Sequence, residues 1–116
     1  MIKNRIPVHW LSKEARYRII DRLLSTRSVK ELAEELGLSR NAIRKYINRE
    51  THPSDEVMER VFTILRDYEI EAIVSIVVDD LLKAFEMLLS ALNESSDKYR
   101  KIIIDKFKEA YGKIGE

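Results

Sequence analysis

Ser28-Val29-Lys30-Glu31-Leu32-Ala33-Glu34-Glu35-Leu36-Gly37-Leu38-Ser39-Arg40-Asn41-Ala42-Ile43-Arg44-Lys45-Tyr46-Ile47-Asn48 is the stretch whose reading decides the fold. Ser28 is a helix-capping residue type, and Glu31 follows it three positions later. Together they make a capping box, in which each side chain satisfies a backbone donor of the other. Gly37 ends that short helix, because the left-handed position after a helix favours a residue without a Cβ. Ser39 caps a third helix in the chain, running to about Arg49. Two short helices that cross closely need a small residue at the contact, and Ala33 supplies it. Leu32, Leu36, Leu38, Ile43 and either Tyr46 or Ile47 are placed to lock both helices onto the one before them.

Working outward, residues Met1 to Trp10 read as an arm, with Pro7 removing a backbone donor. Val8 and Trp10 are expected to fold back onto the first helix. That helix is capped by Ser12, runs to about Ser25, and turns Ala15, Ile19, Ile20, Leu23 and Leu24 inward. Beyond the break at Thr51-His52-Pro53-Ser54, either Ser54 or Asp55 caps a fourth helix with Val57, Val61, Ile64, Leu65 and Tyr68 inward. A longer helix begins near Glu69. Its apolar positions recur at spacings of three and four through Leu92, which outweighs the strand tendency of the β-branched run Ile73 to Val78. Asn93 to Ser96 is a turn, and a last helix carries Tyr99, Ile102, Ile103, Phe107, Ala110, Tyr111 and Ile114. The expectation is an all-α protein: a helix-turn-helix bundle of four helices (residues 1–68, with the N-terminal arm) followed by a long C-terminal helical hairpin (residues 69–116).

Composition narrows the function. Hydrophobic residues are 45% and charged residues 35% of the chain, a folded rather than a disordered mixture. There is no cysteine, so disulfides and thiolate metal sites are excluded. No apolar run reaches the ~18 residues that a membrane span needs, and the first residues lack the pattern of a signal peptide, so the expected compartment is the cytoplasm. The net charge of +1 hides an asymmetry. Residues 1–52 hold 12 Lys and Arg against 6 Asp and Glu, a net of +6, and residues 53–116 hold 9 against 14, a net of −5. A basic N-terminal half points to a polyanionic partner.

The run Leu32-Ala33-Glu34-Glu35-Leu36-Gly37-Leu38-Ser39-Arg40-Asn41-Ala42-Ile43 resembles the helix-turn-helix of Cro/C1-type (XRE-like) DNA-binding proteins. Arg49-Glu50-Thr51-His52-Pro53-Ser54 resembles the loop these proteins place before their fourth helix. They often have glycine where Glu50 stands, so that turn is expected to differ. The resemblance covers about residues 12–68, and the chain is also similar to small archaeal helix-turn-helix proteins found near mobile elements. It implies double-stranded DNA as the partner and a homodimer as the acting form.

In such a motif the start of the recognition helix enters the major groove. Ser39, Arg40, Asn41, Arg44, Lys45 and Asn48 are the outward side chains expected to read bases. Arg can bridge guanine O6 and N7, and Asn can bridge adenine N6 and N7. Ser28, Lys30 and Arg49 are expected at phosphates, as Lys45 could be, and Lys3 and Arg5 on the arm are candidates for the minor groove. The apolar face of the long helix exceeds what a two-helix hairpin needs. Ile73, Val77, Leu81, Phe85 and Leu88 are therefore expected at a dimer interface. Two-fold symmetry would set the recognition helices ~34 Å apart on a palindromic site. His9 and His52 stand apart from any ligand-spaced partner, and Asp79-Asp80 points two ways from a helix. No cofactor, metal, small-molecule ligand or catalytic set is expected, so the chain is not read as an enzyme. The function expected is a sequence-specific DNA-binding regulator. The competing readings are an antitoxin or adaptor, and the DNA-recognition part of a recombination or transposition system.

Overall fold

The computed structural model describes residues 5–93 and 97–114, so Lys3 lies outside the described residues. Serine begins each of the first four α-helices. Ser12, Ser28, Ser39 and Ser54 each accept a hydrogen bond from the backbone amide three residues on. These caps start α1 (Lys13–Leu24), α2 (Val29–Leu36), α3 (Arg40–Ile47) and α4 (Asp55–Ile64). The reciprocal bond of the capping box is present at α2, from the Ser28 amide to the Glu31 carboxylate. Asp55 and Glu56 lie in the first turn of α4, where the helix dipole favours negative charge. α5 (Asp67–Asn93) and α6 (Asp97–Ile114) complete the chain, and no strand occurs among the described residues. Ile73 to Val78 is helix throughout.

Two compact units make up the chain, Met1–Leu81 and Leu82–Glu116. The first contains α1 to α4 and the first half of α5. Its core is built from the periodic positions of each helix: Ile19, Ile20 and Leu23 of α1, Leu32, Ala33 and Leu36 of α2, Ile43 and Tyr46 of α3, and Val57, Met58 and Val61 of α4, all buried. Burying one such aliphatic side chain is worth about 1.5–3 kcal/mol. Ala33 is buried in this core, the small residue that lets α2 lie close to its neighbours.

The compact unit extends past the expected boundary at Tyr68, because α5 supplies part of its core. Ile73, Ile76 and Val77 are buried there. Ile73 and Val77 are therefore corrected: expected at a dimer interface, they are consumed inside the fold. Tyr68 is corrected as well. The fourth helix stops at Ile64, Leu65 is extended, and Tyr68 falls in the first turn of α5 with 61% of its surface exposed. Of the arm, Val8 packs into the core within a short 3₁₀ turn (Val8–Trp10), whereas Trp10 stays 74% exposed and meets only His9 edge-on among the described rings.

Polar groups inside the unit are satisfied by long side chains. The buried Arg16 guanidinium donates to the carbonyls of Val8, Leu11 and Pro53 and to Asp55, tying the arm and the loop before α4 onto α1. His9 also reaches Asp55, at 2.7 Å. Their hydrogen bonds hold the Asp55 carboxyl below its ordinary range. Arg60 on α4 donates to the carbonyl of Leu36, one of the acceptors left open at the end of α2.

The innermost charges are Arg27, in the turn between α1 and α2, and Glu69, in the first turn of α5. Both side chains have no exposure and meet at 2.6 Å. Arg27 also donates to Glu35 and to the carbonyl of Ile64. Glu69 accepts from Arg27 twice, from Thr26 and from the Arg66 amide. Burial pushes the Glu69 carboxyl up, but the bonds from Arg27, the Arg66 amide and Thr26 outweigh it and hold its pKa at about 2. A carboxylate whose pKa falls on folding stabilises the fold fully above its unfolded pKa and loses that contribution as pH drops towards the folded value. The contribution is on the order of 3 kcal/mol. Stability should therefore hold from pH 7 to about 5 and fall between about 4.5 and 2. Glu69→Gln should cost about 3–5 kcal/mol at pH 7, since it leaves a buried guanidinium without its main counter-charge. Its urea-melting midpoint should also change less across that acid window. A variant that keeps the full stability and the wild-type acid slope would contradict this assignment.

Candidate nucleic-acid interface

α3 divides cleanly into two faces. At 100° per residue, Ala42, Ile43 and Tyr46 point inward within an arc of about 100°. Ile43 and Tyr46 are buried and Ala42 half-buried. The remaining positions span the other side. Asn41, Arg44 and Asn48 sit at its centre, Arg40 and Ile47 at one flank, and Lys45 at the other. All six are exposed, as is the cap Ser39. Five of the six side chains expected to read bases, Arg40, Asn41, Arg44, Lys45 and Asn48, are thus presented together on one outward strip; the sixth, Ser39, is the exposed cap whose hydroxyl accepts from the Ala42 amide. The alternative left open between Tyr46 and Ile47 is decided by the same geometry: Tyr46 faces the core, and Ile47 is 40% exposed on the strip. The sequence held that signal in its spacing, because Ile47 lies seven residues after Arg40, almost two whole turns.

The turn that aims α3 is stiff. Gly37 adopts φ 67°, and the amides of Gly37 and Leu38 bond back to the carbonyls of Glu34 and Ala33. This is the paired closure of a Schellman motif, and it takes up two of the orphan carbonyls of α2. Leu38 then packs half-buried against the core. α3 ends with the same motif. Arg49 and Glu50 bond back to Tyr46 and Lys45, but the left-handed residue is Arg49, with φ 60°. The glycine-like conformation falls one residue before the position where the resemblance had suggested a difference.

The strip is electropositive. Among the described residues none of Arg40, Arg44 and Lys45 forms an ion pair, so their charges are directed to solvent. Ser28 and Lys30 are exposed at the start of α2. Arg5, at the edge of the described arm, is exposed too. Arg49 differs from the other basic residues: its guanidinium pairs with Asp21 at 2.7 Å and lies 4.5 Å from the centre of the Tyr17 ring. Sequence reasoning placed Arg49 at a phosphate and missed both partners, which lie on α1 and far away in sequence. No cluster of His, Cys, Asp or Glu able to hold a metal occurs among the described residues. No helix among them is long and apolar enough to cross a membrane.

The second unit is a different kind of surface. Phe85 on α5 stacks on Phe107 of α6 at 5.3 Å, and Phe107 lies 5.2 Å from Tyr111. On one side of this ladder is an open groove of about 310 Å³ lined by Phe85, Leu88, Ile103, Lys106, Phe107 and Ala110. No described side chain of residues 82–112 is fully buried. Leu82, Met87, Leu88, Tyr99, Ile102, Ile104, Phe107 and Tyr111 are all more than 40% exposed.

Comparison with known proteins agrees with the first unit. The helix-turn-helix family matches residues 21–72, from the end of α1 through the start of α5. Neither the search of curated proteins nor that of solved structures gives a match. The matched segment contains both crossing helices, the Gly37 turn and the whole outward strip of α3. Residues 21–72 of this chain are a DNA-binding helix-turn-helix domain of the Cro/C1 type.

Proposed function

We propose that the protein is a sequence-specific transcriptional regulator that binds a palindromic duplex as a homodimer. The observation that carries the reading is the composition of the α3 strip. Arg40, Asn41, Arg44 and Asn48 carry forked donors and acceptors suited to base edges in the major groove, and they share one exposed face. Ile47 adds an apolar contact suited to a thymine methyl. Lys45 at the flank, with Ser28 and Lys30 at the start of α2, suits phosphates, which position a protein without specifying sequence. A DNA ligand also accords with a cytoplasmic site of action.

The dimer reading rests on the second unit. A helical pair shorter than ~40 residues rarely holds itself together without a disulfide, a metal or a partner chain. The chain has no cysteine, and its described residues hold no metal cluster. The Phe85, Phe107 and Tyr111 ladder with Leu88 therefore supports a hairpin that completes its core against a second copy. Of the residues expected at this interface, Phe85 and Leu88 remain. Leu81 is half-buried and packs on the first core. Competing readings as an antitoxin or as part of a recombination system use the same DNA strip, and nothing in either unit favours them over a regulator.

Binding to duplex should weaken with salt by several units of log K per log salt, as expected when each neutralised phosphate contributes about −0.9. Arg44→Ala and Asn41→Ala should each cost about 1–3 kcal/mol on the preferred site and relax preference at one or two base pairs. Ala33→Leu serves as a control that overpacks the α2 crossing and lowers the melting temperature instead. Unchanged affinity and preference in folded Arg44→Ala and Asn41→Ala proteins would remove α3 from the reading role.

Sedimentation tests the assembly. The full chain should run as a dimer at micromolar concentration, and Phe107→Glu should convert it to a folded monomer that loses its advantage for a palindrome over a half-site. A dimer unaffected by Phe107→Glu would place the interface elsewhere.

A further inference from the structure

We propose that Arg49 is a positioning residue, a pin that fixes the C-terminal end of the recognition helix against α1, and that it does not bind a DNA phosphate. This rests on the reading of α3 as the DNA-binding helix. The guanidinium is held on three sides. It forms two bonds to the Asp21 carboxylate, at 2.7 and 3.3 Å, and a third to the carbonyl of Tyr46 at 3.2 Å. Its central carbon stands 4.5 Å from the centre of the Tyr17 ring. Tyr17 and Asp21 are four residues apart on α1, so they share one face and form a single receptor for the planar group.

The backbone makes the same point independently. Arg49 occupies the left-handed position that closes α3, with φ 60°, where glycine carries no steric penalty. Gly37 fills the equivalent position at the end of α2, with φ 67°. At α3 the chain keeps a side chain in a conformation that disfavours one. What that side chain does is reach back to α1, because the left-handed turn sends the chain away from the helix axis just there. The N-terminal end of α3 is already fixed by the Gly37 turn and by Leu38. Pinning the far end sets the tilt of the whole outward strip, including Asn48, which directly precedes Arg49. An exposed ion pair adds little to global stability. Its effect falls instead on how narrowly the reading side chains are held, and rigid support is what base readout requires.

The test uses the full chain, a duplex recovered by selection from a random pool, and single-base variants of that duplex. Arg49→Ala keeps the left-handed strain and loses the pin, whereas Arg49→Gly relieves the strain and loses the same pin. The glycine variant should therefore melt higher than the alanine variant. Both should nevertheless bind the selected duplex about tenfold more weakly, the value of one lost base contact, with relaxed preference. The slope of log K against log salt should match that of the wild type for both, because no phosphate contact is lost. Arg49→Lys should lose as much affinity, since an ammonium cannot make the paired bonds or the flat stack. Asp21→Ala should also weaken binding, although it removes a negative charge from a protein that binds a polyanion. Stronger binding by Asp21→Ala, or a slope reduced by about 1 in Arg49→Ala with affinity retained in Arg49→Lys, would make Arg49 a phosphate ligand. Affinity that recovers with stability in Arg49→Gly would reduce the pin to a stability effect. A wild-type chain that binds no duplex would instead overturn the DNA reading itself.

Discussion

The meeting of Arg27 and Glu69 is the constraint on which the rest of the first unit depends. Two opposite charges without exposure are costly to bury, and they persist only because nearly every donor and acceptor they carry is occupied. That requirement is geometric. Arg27 lies in the turn from which α2 departs, and Glu69 lies in the first turn of α5. Their bonds fix the direction in which α2 leaves α1 and bring the start of α5 to the same point. Thr26, Glu35, Ile64 and Arg66 are drawn into the cluster, so the turns at both ends of the unit are determined together. Apolar packing supplies most of the stability, but it tolerates small rotations that the paired charges do not.

With α2 fixed, α3 has little freedom. The Gly37 turn allows one departure, Ala33 permits a close approach, and Ile43 and Tyr46 anchor a single face. The opposite face must then be outward, and it is the face that carries Arg40, Asn41, Arg44 and Asn48. The outward strip follows from the inward packing of a short helix between its two capped ends. The second unit contributes differently, since its aromatic ladder leaves an apolar surface unfilled within the unit itself.

Much of this was legible in the amino-acid sequence, because the features are local. Serines at helix starts, glycine at a helix end and apolar residues at spacings of three and four depend on a few neighbouring positions, and each of the first helices starts at its serine. The outward strip of α3 was legible for the same reason, since helical spacing alone groups its members. What escaped was long-range. Arg27 and Glu69 look like ordinary surface charges until 42 residues of chain bring them together. For that reason Tyr68 was a poor boundary: ending the domain there would discard Glu69, Ile73 and Val77, all buried. Spacing likewise cannot show that Asp21 and Tyr17 stand beside Arg49. Trp10 was expected inside because it is large and apolar, yet Val8 fills the space that the arm covers.

On the function proposed, the outward strip of α3 reads duplex DNA in two symmetric copies. Selection of bound sequences from a random duplex pool, using the full chain at physiological salt, tests it most directly. The expected result is a palindromic consensus whose half-sites lie about 10 base pairs apart, the spacing that two major-groove helices on one side of the duplex require. Recovery of sequences with no consensus, bound no better than the starting pool, would contradict it.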